Sequence, residues 1–145
     1  MKKLKKSEKF INFKKIITAD GSPTLYSINV NEYYKSKHGA LTESNYVFVN
    51  NGLEFWKKKN NKSKCRIFEM GFGLGYNAYS TLVSKSINNM KIEYNTIDAF
   101  PVEFGVIESL NFDNYIQNKT YYKLFLKLHS TPWGLKFDFN SSFSF

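Results

Sequence analysis

The most informative stretch of the sequence is Arg66-Ile67-Phe68-Glu69-Met70-Gly71-Phe72-Gly73-Leu74-Gly75-Tyr76-Asn77. An apolar segment, three alternate glycines and a helix-forming segment predict a strand, a tight turn and a helix. Glycine is needed in such a turn where a Cβ would collide with a ligand or where φ is positive. The helix that follows points its free amides at whatever occupies the turn. A tight turn that holds no ligand is the alternative explanation.

The segments after the glycines predict an α/β fold. We expect a strand at 66–70, a helix from Tyr76 to about Ile87, a second strand at 92–98 and a helix with Pro101 in its first turn. A strand, a helix and a strand in this order begin a parallel sheet. Three further elements are expected, a helix and two strands, at 113–128, 135–139 and 142–145. Residues 65–145 thus predict the first half of a Rossmann-like domain.

The preceding part of the chain has a different pattern. Residues 1–15 carry seven lysines and predict a basic tail that leads into a first strand. Residues 16–64 predict a small β and helical element, in which Asp20-Gly21-Ser22-Pro23 is a turn signature between two strands. The run Tyr46-Val47-Phe48-Val49 favours a strand or a buried segment, and a helix is expected over 53–59.

The net positive charge of the chain lies in its N-terminal part. Residues 1–64 hold 14 lysines and 5 acidic residues, a net charge of +9, whereas residues 65–145 hold 7 basic and 7 acidic residues. Such a surplus attracts phosphate backbones, so nucleic acid is a candidate partner. With 20 lysines and a single arginine, the composition argues against a protein that reads base sequence in a groove.

Composition also excludes several classes of protein. A chain of 145 residues that is 42% apolar and 18% aromatic is expected to form one compact domain. No apolar run is long enough to span a bilayer, so no membrane partner and a cytoplasmic location are expected. Cys65 is the only cysteine, and the two histidines lie far apart in the sequence. An internal disulfide is therefore excluded, and no metal site is expected.

The spacing of the glycines indicates which class of ligand the turn binds. A dinucleotide fingerprint is G-x-G-x-x-G, whereas here Tyr76 occupies the place of the third glycine, so NAD and FAD are disfavoured. Glu69, two residues before Gly71, suits a ligand with a cationic amino group, and S-adenosylmethionine has one. The sequence therefore predicts a cofactor site of Glu69, Gly71, Gly73 and Gly75 that binds S-adenosylmethionine.

Two residues after the second strand extend the predicted cofactor site. Asp98 is placed to accept hydrogen bonds from ribose hydroxyls, as the acid after the second strand does in nucleotide-binding sheets. A helix N-cap is the alternative role for Asp98. Phe100 could flank the adenine ring, or it could be a core aromatic residue.

Several motifs together resemble a known family. They are Asp20-Gly21-Ser22-Pro23, Asn31-Glu32-Tyr33-Tyr34-Lys35-Ser36, Gly39 through Glu43-Ser44, Val47-Phe48-Val49, Glu69 through Asn77, and Asp98-Ala99-Phe100-Pro101. In order and spacing they resemble the methyltransferase domain of the MnmC-like tRNA 5-methylaminomethyl-2-thiouridine methyltransferases, from about Thr18 to Trp133.

The resemblance implies a function. It implies a Rossmann-like S-adenosylmethionine-dependent methyltransferase that transfers a methyl group to the aminomethyl nitrogen of a modified wobble uridine in tRNA. It also implies that Tyr34, Glu43 and Ser44 line the substrate or cofactor pocket. Packing between the N-terminal element and the sheet is the alternative role for these three residues.

The sequence also departs from the family. Relatives are expected to continue the sheet with a strand that carries an aspartate beside the methyl acceptor, and no residue here matches it. The catalytic residues are therefore unassigned, and a second chain that completes the sheet is one option. A sheet without its C-terminal strands is expected to expose an apolar edge and to leave helices without a partner face. We also expect too few packing partners for four phenylalanines, Phe137, Phe139, Phe143 and Phe145.

Two functions of different classes fit these observations. The first is a tRNA methyltransferase domain, intact or degraded, and the second is a non-catalytic module that binds a nucleotide or RNA. Binding of S-adenosylmethionine distinguishes them.

Overall fold

The computed structural model describes residues 12–84 and 90–145, which contain two sheets. The first is an antiparallel sheet of β1 (Phe13–Ile17), β2 (Pro23–Ser27) and β3 (Glu32–Tyr33), in that order. Its register pairs Lys14 with Tyr26 and Tyr26 with Tyr33. Of the predicted basic tail, residues 1–11 lie outside the described residues and 13–15 lie in β1.

The predicted turn at Asp20-Gly21-Ser22-Pro23 joins β1 to β2. One carboxylate oxygen of Asp20 accepts hydrogen bonds from the amide and hydroxyl of Ser22 and from the hydroxyl of Thr18. The other oxygen accepts the Thr42 amide at 2.9 Å. Burial tends to raise the pKa of Asp20, but these hydrogen bonds outweigh it and hold the pKa well below its usual range.

The second sheet has the strand order β4-β5-β7-β6. Strands β4 (Lys64–Met70) and β5 (Lys91–Ile97) are parallel, with a register from Lys64↔Lys91 to Met70↔Ile97. Strand β7 (Phe143–Ser144) is parallel to β5, and β6 (Asp138–Asn140) is antiparallel to β7. Parallel strands joined through a helix confirm the predicted α/β, Rossmann-like class.

The helices lie before, between and after the central strands. In chain order they are α1 (Ala40–Glu43), a π-helix (Ser44–Glu54), α2 (Phe55–Asn60), α3 (Tyr76–Val83), α4 (Phe104–Ser109), a 3₁₀ turn (Phe112–Asn114) and α5 (Lys119–Ser130). None of the described helices is long and apolar enough to cross a membrane.

The prediction of a strand at 46–49 was wrong, because these residues lie in the π-helix. Val49 and Leu53, four residues apart, are buried, whereas Tyr46 and Val47 are exposed. The burial therefore follows helical spacing. A short run of β-branched and aromatic residues does not distinguish a strand from a helix, and packing against α3 selects the helix.

Three predicted helix boundaries also differ from the structure. Helix α3 ends at Val83, since Ser84 has an extended backbone; residues 85–87 of the predicted helix lie outside the described residues. Pro101 precedes α4 instead of lying in its first turn. The predicted helix over 113–128 is divided, because the Asn118 side chain accepts the amides of Thr120 and Tyr121 and starts a new helix there.

The core lies on one face of the second sheet. Cys65, Ile92 and Tyr94 are buried there together with the apolar faces of α3 and α5. The opposite face of β4 and β5 exposes Phe68, Met70 and Ile97.

The C-terminal phenylalanines are packed, contrary to the expectation. Phe143 is only 1% exposed and its ring is stacked 5.8 Å from that of Tyr94. The ring of Phe145 lies 5.5 Å from that of Phe72, and the ring of Phe139 lies 6.0 Å from that of Phe143. The chain turns back through β6 and β7 onto the sheet, which local sequence pattern did not reveal.

Candidate ligand site at the glycine-rich turn

The glycine-rich turn links the end of β4 to the start of α3, as predicted. Gly71, Gly73 and Gly75 all have positive φ, at 83°, 55° and 68°. The Gly71 amide donates to the Ile97 carbonyl at 2.7 Å, which extends the ladder between β4 and β5 by one bond. The turn therefore starts at the carboxyl ends of two adjacent parallel strands, the edge where open α/β sheets bind ligands.

The glycines of the turn have different surroundings. An alanine Cβ at Gly71 would meet no atom within 4 Å, so this position faces open space. At Gly75 the same atom would lie 2.8 Å from His129 Nε2 and from Phe72 Cζ. Gly71 thus leaves open space beside the backbone, whereas Gly75 is required by protein packing.

Asp98 closes the turn from the end of β5. Its Oδ2 accepts the Gly73 amide and its Oδ1 accepts the Phe100 amide, each at 2.8 Å. The predicted alternative, a helix N-cap, does not apply, because α4 begins at Phe104 with Glu103 as its N-cap. A carboxylate accepts about four hydrogen bonds, so Asp98 retains acceptor capacity for a ligand. Phe100, beside it, is 85% exposed.

Glu69 lies beneath the turn and is only 5% exposed. Its Oε1 accepts a hydrogen bond from Asn77 Nδ2 at 2.7 Å, and its Oε2 accepts one from the Tyr94 hydroxyl at 2.9 Å. Burial raises the pKa of the Glu69 carboxyl, while these two hydrogen bonds and the charge of Lys35 oppose the shift. Glu69 therefore organises the floor of the site.

A polar network joins the turn to the N-terminal element. Lys35 Nζ donates to Asn77 Oδ1 at 2.9 Å and lies 3.7 Å from a carboxylate oxygen of Glu43. Glu43 in turn accepts the Ser36 amide at 2.8 Å. Glu69, predicted for the cofactor, and Glu43, predicted for the substrate, are thus connected through Asn77 and Lys35.

The other two residues predicted for the substrate pocket differ in position. The Tyr34 ring lies 3.4 Å from the point that a Cβ of Gly73 would occupy, and it packs edge-on against Phe13. Burial and the charge of Asp98 raise the pKa of the Tyr34 hydroxyl. Ser44 is buried, and its hydroxyl has no hydrogen-bond partner in the described part of the chain. Of these two residues, Tyr34 is the one whose contact with Gly73 places it at the border of the glycine-rich turn.

Sequence reasoning missed three residues of this network, namely Lys35, Asn77 and Tyr94. Asn77, in the first turn of α3 and eight residues after Glu69, was detectable as a polar side chain beside the glycines. Tyr94 lay in the predicted second strand without a role of its own. Lys35 lay in a motif that resembles the family, but its part in the site depends on the packing of the N-terminal element.

One cavity has Phe72 in its lining and lies apart from the predicted cofactor residues. It has a volume of about 320 Å³ and is lined by residues that include Phe72, Thr96, His129, Trp133 and Phe145, and none of the predicted cofactor residues borders it. The positive φ values and the open position at Gly71 locate the candidate site more directly than this cavity does. No group of three potential metal ligands occurs among residues 12–84 and 90–145.

The fold and the turn together define a class of protein: an α/β, Rossmann-like domain with a glycine-rich turn after the first of its parallel strands. No protein-family model and no curated protein matches the sequence. Among solved structures, the crystal structure of MnmC2 from Aquifex aeolicus is similar, with a TM-score of 0.54 and 32% sequence identity over 63% of this chain. This similarity supports an MnmC-like domain. It spans 30% of the length of that protein.

Proposed function

We propose that this chain forms the cofactor-binding part of a tRNA-modifying methyltransferase of the MnmC type and takes S-adenosylmethionine as its cofactor. The observation that carries the proposal is the pairing of the open turn at Gly71 with Asp98, which closes the turn from the neighbouring strand. The similarity to MnmC2 over 63% of the chain supports it.

The residues of the turn fit the proposed cofactor. The open position at Gly71 leaves room for a group pressed against the backbone, and the remaining lone pairs of Asp98 suit the ribose hydroxyls. The exposed ring of Phe100 suits one face of the adenine. Bound S-adenosylmethionine would supply an electrophilic methyl group on a sulfonium sulfur.

Glu69 acts indirectly in this proposal. Both of its oxygens already accept hydrogen bonds within the protein, from Asn77 and Tyr94. We therefore assign Glu69 the role of a positioning residue that fixes the first turn of α3, while its buried negative charge favours a cationic amino group nearby.

The proposed methyl acceptor is the aminomethyl nitrogen of a modified wobble uridine in tRNA. Methyl transfer to an amine requires a deprotonated nitrogen held in line with the methyl group, so positioning contributes much of the rate. Tyr34 and Glu43 are proposed to border the acceptor, since one packs beside Gly73 and the other joins the network of Lys35. A cytoplasmic location follows from a tRNA substrate and stays a prediction.

Isothermal titration of the full chain with S-adenosylmethionine and S-adenosylhomocysteine tests the proposal. We expect both to bind to the wild-type chain and neither to bind to an Asp98→Ala variant. NAD serves as the control ligand and is expected to give no heat. Absence of heat with both sulfur nucleosides at near-millimolar concentration would contradict the cofactor assignment.

A second candidate is a non-catalytic RNA-binding module, which the net charge of +9 in residues 1–64 favours. An assay with tritiated S-adenosylmethionine and tRNA that carries the aminomethyl uridine separates the two. Label in the tRNA supports the methyltransferase. Binding of tRNA without binding of S-adenosylmethionine supports the binding module.

A further inference from the structure

The outer face of the N-terminal sheet carries a row of three residues that the proposed cofactor site does not use. The strand register places Lys14, Tyr26 and Tyr33 side by side on β1, β2 and β3. Residues that are paired across neighbouring strands project from the same face. We call these three residues the tyrosine row.

The two rings of the tyrosine row form an ordered surface. Their centroids lie 5.0 Å apart with a tilt of 56°, and the Tyr26 hydroxyl donates a hydrogen bond to Asn31 Oδ1. Tyr33 is 43% exposed, so part of its side chain is accessible to a ligand. Exposed tyrosine rings held in place by their neighbours are suited to base stacking, because every nucleobase has a π face.

The charge around the tyrosine row suits a polyanion. Lys14 belongs to the row, and five more lysines occur in the sequence of residues 1–10. Two acidic residues of the N-terminal half are engaged within the protein: Asp20 by Ser22 and Thr42, and Glu43 by Ser36 and Lys35. Glu32 pairs with Ser27 in the adjacent register position, so it projects from the other face.

We propose that the tyrosine row binds an unpaired loop of RNA, with a base stacked on Tyr33 and Lys14 near a phosphate. Bases in an RNA duplex have their faces covered by their neighbours, whereas loop bases can be splayed out onto aromatic rings. The inference rests on the proposed function for the choice of RNA as the polymer.

The tyrosine row and the glycine-rich turn lie on different faces of the N-terminal sheet. Tyr34 follows Tyr33 along the chain and therefore projects from the other face, where it packs beside Gly73. The tyrosine row is thus a separate surface from the candidate cofactor site.

Fluorescence anisotropy with the full chain and a fluorescein-labelled RNA hairpin that has an unpaired loop tests the inference. Tyr33→Ala is expected to raise the Kd roughly fivefold or more, as for the loss of one stacked base. Tyr33→Phe, which keeps the ring, is expected to bind as the wild type does. Tyr121, 42% exposed on α5, provides the matched control, and Tyr121→Ala is expected to leave the Kd unchanged.

Two further measurements address the phosphate contact and the identity of the partner. Lys14→Gln is expected to reduce the slope of log K against log salt by about 0.7, the value for one phosphate contact to a single strand. A fully paired duplex of the same composition is expected to bind more weakly than the hairpin. Equal affinity for the duplex and the hairpin would overturn the inference. Equal losses of affinity in Tyr33→Ala and Tyr121→Ala would also overturn it, as would a failure of the wild-type chain to bind the hairpin at low salt.

A measurement on the wild-type chain guards against a variant that fails to fold. Photo-cross-linking to a hairpin with 5-bromouridine in its loop is expected to give adducts on Tyr33 or Tyr26, and adducts found only elsewhere would count against the row. Titration with S-adenosylmethionine is expected to be unaffected by Tyr33→Ala. Failure of the wild-type chain to bind S-adenosylmethionine would therefore remove the proposed function, while the RNA measurements judge the tyrosine row separately.

Discussion

The carboxylate of Asp98 accepts the backbone amide of Gly73 at 2.8 Å, across 25 residues of sequence. This bond ties the end of β5 to the turn that follows β4, and the Phe100 amide fixes the other oxygen of the same carboxylate. The hydrogen bond thereby holds the ends of β4 and β5 together. The open position at Gly71 lies in the same turn.

Replacement of Asp98 by alanine is expected to lower the free energy of unfolding by about 1 to 3 kcal/mol, the usual effect of losing hydrogen bonds to a charged group. Urea denaturation monitored by tryptophan fluorescence measures this change. Asp98→Asn retains an acceptor for the Gly73 amide and is expected to lose less. Equal midpoints for the wild type and Asp98→Ala would show that the bond contributes nothing to stability.

Alanine substitution at two glycines of the turn is expected to have different effects. Gly75→Ala places a Cβ 2.8 Å from Phe72 and His129, so the fold must shift in addition to adopting an unfavourable φ. Gly71→Ala meets no neighbour, and its cost is expected to be only the left-handed backbone, about 1 to 2 kcal/mol. Urea denaturation compares the two.

Titration of the Gly71→Ala variant with S-adenosylmethionine tests the proposed position of the ligand. Gly71→Ala is expected to fold and yet to lose the cofactor, because the new methyl group occupies the open space at this position that the cofactor is proposed to fill. Unchanged cofactor affinity in a folded Gly71→Ala variant would contradict the proposed position of the ligand.

Asn77→Ala is expected to destabilise the protein by about 1 to 3 kcal/mol at neutral pH, since it leaves a buried oxygen of Glu69 without its partner. Burial already raises the pKa of Glu69, and loss of the hydrogen bond from Asn77 raises it further. A folded-state pKa above the unfolded value means that stability falls as pH rises through it. The difference between the variant and the wild type is therefore expected to shrink towards pH 4.

Urea denaturation at neutral and acidic pH measures this difference. Ser80→Ala on the same helix is the control, because the buried Ser80 hydroxyl has no hydrogen-bond partner among the described residues. An Asn77→Ala effect that is independent of pH would mean that Asn77 does not act through the charge of Glu69.

His129 is expected to make the protein less stable in mild acid. Burial lowers the pKa of its imidazole from 6.5 to about 4, although a hydrogen bond with the Leu74 backbone opposes the shift. The unfolded chain thus gains a proton near pH 6.5 that the folded chain does not. The free energy of unfolding is expected to fall between these two pH values, by up to about 3 kcal/mol.

Thermal denaturation as a function of pH measures this effect. His129→Phe keeps an aromatic ring between Phe72 and Phe125 and is expected to flatten the dependence. His38→Ala removes the other histidine, which is exposed, and is expected to leave the dependence as in the wild type. A His129→Phe variant with the wild-type slope would assign the acid sensitivity to another group.

The fold of the central unit was predictable because its signals are local. The apolar segment at 66–70 predicted β4, the segment at 92–98 predicted β5, and the glycines predicted the turn before α3. The run at 46–49 lacked such a signal, since its burial depends on the helix it packs against.

The sequence by itself determined a parallel α/β unit with a glycine-rich turn between two acids, because steric limits on φ and the spacing of apolar side chains act over a few residues. Only the tertiary structure decided that Asp98 bonds to Gly73, that Gly71 faces open space while Gly75 is packed, and that Lys35 reaches Asn77. These contacts join residues that are far apart along the chain. They depend on how whole strands and helices pack, which no local pattern encodes.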